Sequence, residues 1–474
     1  MPYSIKTFNF HPRKAETSGK FVKFGEFIGG AGAKMVKQGS CRLSWLGITA
    51  VAVLASTSSA SAQQGLILSG VGPINRSMGG ASTAAPIDSA GALYWNPASI
   101  VGLERSEMEF GVELLHANNN LSSFIEAGSL GPGFPPVNLG GDTESHAGWF
   151  AIPTFGFVYR PEGSCLTYGL GIYGVAGFGT NYRQDNSNPI LNAPPPNGIG
   201  LGSLFSQYQV LQVAPTVAYQ VTDHLSIGLA PTFDLAELSV DPAFFATPNA
   251  DGSLPSTTHQ RTNWGIGCQL GVYYTTDCCW NFGATIKSPQ WFNDYRWNAT
   301  DEVGGHRQVS FDLDLPMIIS LGSSYTGMEC WVFAADFRYY DYRNTDGFRT
   351  AEFDGNGAVT GLGWDSIFCV ALGAQYQWSE NVSFRIGYVF NENPIDDGNT
   401  SFNVVSPLTI QHTLSVGASY DITDDCVLSL AYLHGFENSI EGPIVTAAGA
   451  IPGSSVKSTT YVDTLMFGLT VKFQ

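Results

Sequence analysis

Fourteen segments of alternating hydrophobicity, joined by links that are short and long in strict turn, constrain this chain more than any other feature. "VSFRIGYVF" puts Val382, Phe384, Ile386, Tyr388 and Phe390 on one face and Ser383, Arg385, Gly387 and Val389 on the other. The closing "YVDTLMFGLTVKF" sets Leu465, Phe467, Leu469, Val471 and Phe473 against Thr464, Met466, Gly468, Thr470 and Lys472. Period two marks a strand, but a soluble β-sandwich shows it as well. The links separate the two. "PEGS", "TDH", "TTDC", "TGME", "SEN" and "TDDC" are short, whereas long ones fall at about 119–146, 182–203, 242–259, 295–305, 346–361, 395–407 and 442–456. Short turns on one rim and long loops on the other are the bacterial outer-membrane arrangement. An even strand count returns both ends of the barrel to the short-turn, periplasmic side. Residues 108–474 are therefore expected to form an all-β, 14-stranded antiparallel transmembrane β-barrel.

Composition agrees. Only 13% of residues are charged, about half the share in soluble domains, which is ~25%. No stretch of the mature chain reaches the roughly 18 consecutive apolar residues of a membrane helix. "SWLGITAVAVLAS" (44–56), preceded by Lys34, Lys37 and Arg42 and followed by Ala60-Ser61-Ala62, reads as a signal peptide. Residues 1–62 are assigned to it, with Met35 as an alternative start and Gln63 as the first mature residue. Removing it takes eight basic and two acidic residues from the chain's 22 and 40, leaving a net charge of −24. Nucleic acid is excluded as a partner, since phosphate binding needs clustered Lys and Arg. Seven cysteines remain, with no zinc-like spacing, and are expected to be mostly unpaired; no metal and no cofactor are implied.

Fourteen strands enclose more room than their own side chains fill. Residues 63–107, compact and rich in Gly and Ala, precede the first strand and are expected to plug the lumen as a hatch, where irregular backbone is shielded from lipid. Their core, "SMGGASTAAPIDSAGALYWNPASIVGL" (77–103), resembles the hatch of the FadL/TodX-type outer-membrane transporters. "YGLGIYGVAGFGTNY" (168–182), "DLPMIISLGSSY" (314–325), "FRIGYVFNENPIDD" (384–397) and "IQHTLSVGASYDITDDCVLSLAYLH" (410–434) are similar to blocks of that family. The resemblance implies passive transport of hydrophobic compounds, long-chain fatty acids first among them. Capture would occur outside, and release sideways into outer-membrane lipid. It also implies a lateral exit where the third strand kinks inward beside Asn96, Pro97 and Ala98.

The third strand carries Gly169, Gly171, Gly174, Gly177 and Gly179. Glycine in a strand interior weakens pairing and marks a bend or a close approach, so Gly174, Gly177 and Gly179 are the kink candidates. Pro97 restrains Asn96 toward extended geometry, leaving the amide free to satisfy strand backbone where the kink breaks the ladder. Strand parity turns Asp234, Asp312, Asp314, Asp336, Arg338, Arg385 and Lys472 inward. Arg338 and Arg385 are candidates either for hatch anchors or for partners of a substrate carboxylate. Tyr339, Tyr340, Tyr342, Trp291, Tyr295 and Trp297 are assigned to an aromatic girdle. No nucleophile elbow or Ser/His/Asp order appears, so no catalytic residue is assigned. A porin, or less readily an outer-membrane lipid-modifying enzyme, is the alternative. A monomer is expected.

Overall fold

The structure, a computed structural model, describes residues 64–134, 136–257 and 261–473. The expected leader and the cleavage before Gln63 lie outside the described residues. Fourteen strands form the barrel: β1 Ser106–Ile125, β2 Trp149–Tyr159, β3 Leu166–Tyr182, β4 Leu204–Gln220, β5 Leu225–Asp241, β6 Arg261–Thr275 and β7 Trp280–Lys287 make the first half. The second half is β8 Ile318–Tyr325, β9 Trp331–Tyr340, β10 Ile367–Ser379, β11 Val382–Asn391, β12 His412–Thr423, β13 Cys426–Gly442 and β14 Ser454–Phe473. Each is antiparallel to its neighbours in chain order, and β1 pairs with β14 from Ser106–Phe473 to Ile125–Ser454, closing the ring. Closure of the ring spares the first and last strands an open edge in hydrocarbon, where an unsatisfied backbone group costs several kcal/mol.

The alternation in the sequence becomes an inside and an outside. Along β5, buried Gly228, Ala230, Thr232 and Asp234 alternate with exposed Ile227, Leu229, Pro231 and Phe233. Tyr168, Tyr219, Tyr274, Trp280, Trp378 and Tyr420 stand exposed near the short-turn rim, the position of an interfacial aromatic belt.

Three expectations need correction. The stretches on either side of the long link expected at about 295–305 are not each one continuous barrel strand. β7 stops at Lys287, β8 starts at Ile318, and Tyr295–Thr300 pairs with His306–Phe311 and Ser256–Thr257 in a separate sheet. That hairpin has the same period two as the wall, so alternation alone could not tell them apart. Secondly, Tyr295, Trp297, Tyr340 and Tyr342 are at most 1% exposed and belong to the interior cluster, not to a girdle. Thirdly, Asp312 lies exposed in the β7–β8 connection, so strand parity does not apply to it. Cys165, Cys268, Cys278, Cys279, Cys369 and Cys426 are in no disulfide among the described residues.

Inside the barrel sits the segment that precedes β1. Every residue from Gln64 to Ile100 is buried except Pro86 and Ile87, which are half-buried. It holds two short helices, α1 Pro73–Ser77 and α2 Ser89–Trp95. Proline opens α1, where its missing N–H costs nothing. The Asp88 carboxylate caps α2 by accepting from the Gly91 N–H at 2.9 Å. The glycines of "MGGA", Gly79 and Gly80, both have positive φ, which side chains resist.

The wall is built to receive this segment. Glycines face each other across strands as Gly111–Gly468, Gly156–Gly171, Gly228–Gly271, Gly283–Gly322 and Gly373–Gly387. A Cβ at Gly156 would stand 2.9 Å from the Ala90 nitrogen, and one at Gly373 2.5 Å from the Met78 carbonyl. Gly468 would meet Pro73, Gly228 the Pro97–Ala98 peptide, and Gly283 the Thr83 carbonyl. These glycines form a belt of close approach that lets backbone pack on backbone. Because the ring closes through β1 and β14 and nearly all of the wall pairing is strand to strand, deleting residues 64–100 should leave a folded barrel with raised conductance in planar bilayers. A deletion as electrically silent as the intact chain would show that something else blocks the lumen.

Candidate functional site

The plug is fastened by charge as well as by shape. Arg76 of α1 donates to Glu113 of β1 at 2.5 Å and to the Ser69 hydroxyl at 2.7 Å. Asp336 of β9 accepts from the Ser82 and Thr83 backbone N–H groups and from the Thr83 hydroxyl, at 3.0, 3.0 and 2.8 Å. Arg338 donates to the Gly80 carbonyl at 2.5 Å and to Asp336 at 2.6 Å, and its guanidinium lies 3.4 Å from the centre of the Trp95 indole. Burying a charge is tolerable only with such partners. Glu107 and Glu109 accept from the first N–H groups of α2 at 2.5 and 3.3 Å. Burial raises the Asp88 carboxyl to about 6, against the lowering effect of the Gly91 N–H and of the Arg385 charge.

Arg338 thus contacts the hatch directly. Arg385 donates instead to Gln375, Ser419 and Ser383 of the wall and faces a separate polar hollow shared with Asp88, Glu107 and Lys472. Sequence could not separate them, since both point inward and differ only in height along the barrel.

The ladder between β2 and β3 stops short of the strand ends. β3 pairs with β2 from Tyr159–Tyr168 only as far as Thr154–Tyr173. Beyond that, β2 continues along β1 to Trp149, and β3 continues along β4 to Tyr182 with a bulge between Gly174 and Ala176. The wall closes again higher up, where the Ser145 N–H donates to the Asn119 carbonyl and the His146 N–H to the Asn181 carbonyl, both at 2.8 Å. Between these limits is a window. It opens on a cavity of about 310 Å³ lined on the inner side by Leu68, Phe150, Ile152, Tyr208 and Leu408, and on the lipid-facing side by Gln209, Leu211, Leu235 and Glu237.

The kink candidates fall at this window. Gly174, Gly177 and Gly179 all line the cavity. A Cβ on Gly179 would stand 2.6 Å from the Phe150 ring, and one on Gly177 2.8 Å from the Tyr208 carbonyl. Gly169 serves the hatch instead, packed beneath Leu93.

Asn96, Pro97 and Ala98 do not line it, which corrects the expected neighbourhood. The Asn96 amide donates to the Thr83 carbonyl at 2.7 Å and to the Val272 carbonyl of β6 at 3.0 Å, and Pro97 and Ala98 pack on Gly228 of β5. The part expected of Asn96 at the broken ladder is taken by backbone from the start of the hatch. The Leu68 N–H donates to the Val175 carbonyl at 3.0 Å, and the Gly177 N–H to the Leu66 carbonyl at 3.3 Å. This short piece is itself held by Tyr342, whose hydroxyl accepts from the Leu66 N–H at 2.9 Å and donates to the Gln64 carbonyl at 2.6 Å. Nothing in "QGLILSG" announced it, because the contact uses main-chain groups.

A family model described as outer membrane protein transport protein (OMPP1/FadL/TodX) matches residues 51–474. The long-chain fatty acid transport protein of Escherichia coli K12 is 23% identical over 385 residues, covering 75% of this chain and 84% of that protein. Among solved structures, a Pseudomonas aeruginosa FadL homologue superposes with a TM-score of 0.66 at 15% identity, covering 86% of this chain and 100% of the other. The Ralstonia pickettii toluene transporter TbuX does so with a TM-score of 0.62 at 19% identity, covering 86% and 99%.

Arg338→Ala would strand Gly80 and Trp95 and unbalance Asp336, so it should cost about 3–5 kcal/mol of barrel stability in urea unfolding. Arg385→Ala, which removes hydrogen bonds to neutral wall side chains and an attraction to Asp88 that involves no direct hydrogen bond, should cost less. Equal losses would contradict a hatch-anchoring role for Arg338.

Proposed function

We propose that this chain, which belongs to the outer membrane transport family OMPP1/FadL/TodX, releases its hydrophobic cargo sideways through the window between β2 and β3. It is a transport protein of the bacterial outer membrane rather than an enzyme, and the family carries hydrophobic compounds. Capture outside, passage into the cavity at β3 and lateral exit are the further steps of the reading. Long-chain fatty acids, named for the E. coli relative, and toluene, named for the Ralstonia protein, bracket the cargo.

The observation that carries the reading is the interrupted ladder with a cavity lined from both faces of the wall. Below it the path to the periplasm is filled by the buried hatch. The energetics favour the side door. A molecule leaving downward would expose its hydrocarbon to water at about 0.8 kcal/mol per CH₂, whereas one leaving sideways passes from a mainly apolar lining into lipid. No energy input is required, because partition into lipid drives the step.

Gly177→Val with Gly179→Val should fill the window, since the added atoms meet Tyr208 and Phe150. Uptake of a hydrophobic tracer into cells should fall to the level of a strain lacking the protein, while the double variant still folds and binds tracer from outside. Normal uptake by a correctly folded double variant would remove the lateral route.

A further inference from the structure

The cavity at the window is peculiar in its charge. Among the described residues it is lined by no Lys, Arg or His, and apart from the Tyr208 phenol its ionisable side chain is an acid, Glu237. Glu237 lies on the lipid-facing side of β5, where Gln209 of β4 donates to it at 3.0 Å. Anything leaving through the window passes this carboxylate.

Cations do exist inside the barrel, but each is committed elsewhere. The buried ones are Arg76, Lys287, Arg338 and Arg385. Arg76 is held by Glu113, and Arg338 by Asp336 and the Trp95 ring. Lys287 donates to Gln212 at 2.6 Å and sits 4.6 Å from the centre of the Tyr94 ring, while Gln212 in turn binds Asp234 at 2.7 Å. Arg385 faces the polar hollow on the other side of the hatch. None lines the cavity. A carboxylate entering it would give up its water with no counter-charge in return, an arrangement proteins avoid because an unpaired buried ion is so costly. Of the polar side chains on the inner lining, Asn119 and Thr460 are bonded to each other at 2.8 Å, and the neutral Tyr208 hydroxyl is paired with that of Tyr295 at 3.5 Å. At about 310 Å³ the space is roughly double the ~150 Å³ apolar cavity known to take up benzene.

We infer that the window selects uncharged apolar molecules, aromatic or aliphatic hydrocarbons and their neutral derivatives, and discriminates against ionised fatty acids. This rests on the reading of the window as the exit and specifies what that exit passes.

A matched pair of ligands tests it: decanoate and decanol, equal in chain length, offered to the purified full barrel well above the carboxyl pKa. Binding is read by calorimetry and transfer by efflux from proteoliposomes. Decanol should bind and cross at least about tenfold better than decanoate, the discrimination of roughly 1.4 kcal/mol that one unpaired charge readily exceeds. Glu237→Lys, which puts a cation where the acid stands, should raise the ratio of decanoate to decanol transfer several-fold. If wild type handles both alike, or prefers decanoate, the charge selection is wrong while the lateral-exit reading stands. If neither ligand binds or crosses, nor toluene in the same assay, the transport reading itself fails.

Discussion

The gap between β2 and β3 depends on two main-chain hydrogen bonds between the hatch and a strand that has lost its neighbour. In hydrocarbon an unpaired N–H or C=O is too costly to leave exposed, so a membrane barrel normally closes every ladder. Here β3 departs from β2 beyond Tyr173, and the groups freed at the bulge turn inward to Leu66 and Leu68. The opening can persist because the plug, and not another strand, satisfies part of what the break exposed. The hatch is in this sense a component of the wall.

That role explains why the hatch is fixed so firmly. A plug that wandered would release β3, so its position is determined by groups that cannot be traded against water: the Arg76–Glu113 and Arg338–Asp336 pairs, the indole stacked on Arg338, and the Tyr342 hydroxyl clamping the first residues. The glycine belt serves the same end by steric means. Five cross-strand glycine pairs remove side chains at the level where the hatch lies, so the contacts are backbone to backbone. Small residues on both sides allow this, which accounts for the Gly- and Ala-rich composition of the opening segment.

The strands and their number were legible because period two is imposed by the pleat and by lipid on one side. The hairpin at Tyr295–Phe311 misled for the same reason: a strand outside the membrane alternates too, and Tyr295 and Trp297 look like girdle residues until they are seen packed inside. The β3 glycines could be read as a weak point, since nothing else in the wall is so poor in side chains. What supports that weak point could not. Leu66–Leu68 acts through its backbone, and Asn96, although conspicuous beside Pro97, bonds to β6 and Thr83 instead. Arg338 and Arg385 share parity and chemistry, so only the three-dimensional structure shows which one meets the hatch.

The central claim is that cargo crosses the wall between β2 and β3, and a reversible staple across the window tests it most directly. A Cβ on Gly174 would lie 3.7 Å from that of Ile152 on the facing strand, within the span of a disulfide. In a background with the exposed native cysteines replaced by serine, Ile152→Cys with Gly174→Cys should transport when reduced, lose uptake on oxidation, and regain it on addition of reductant. Undiminished uptake by the fully oxidised protein would mean that the cargo leaves by another way.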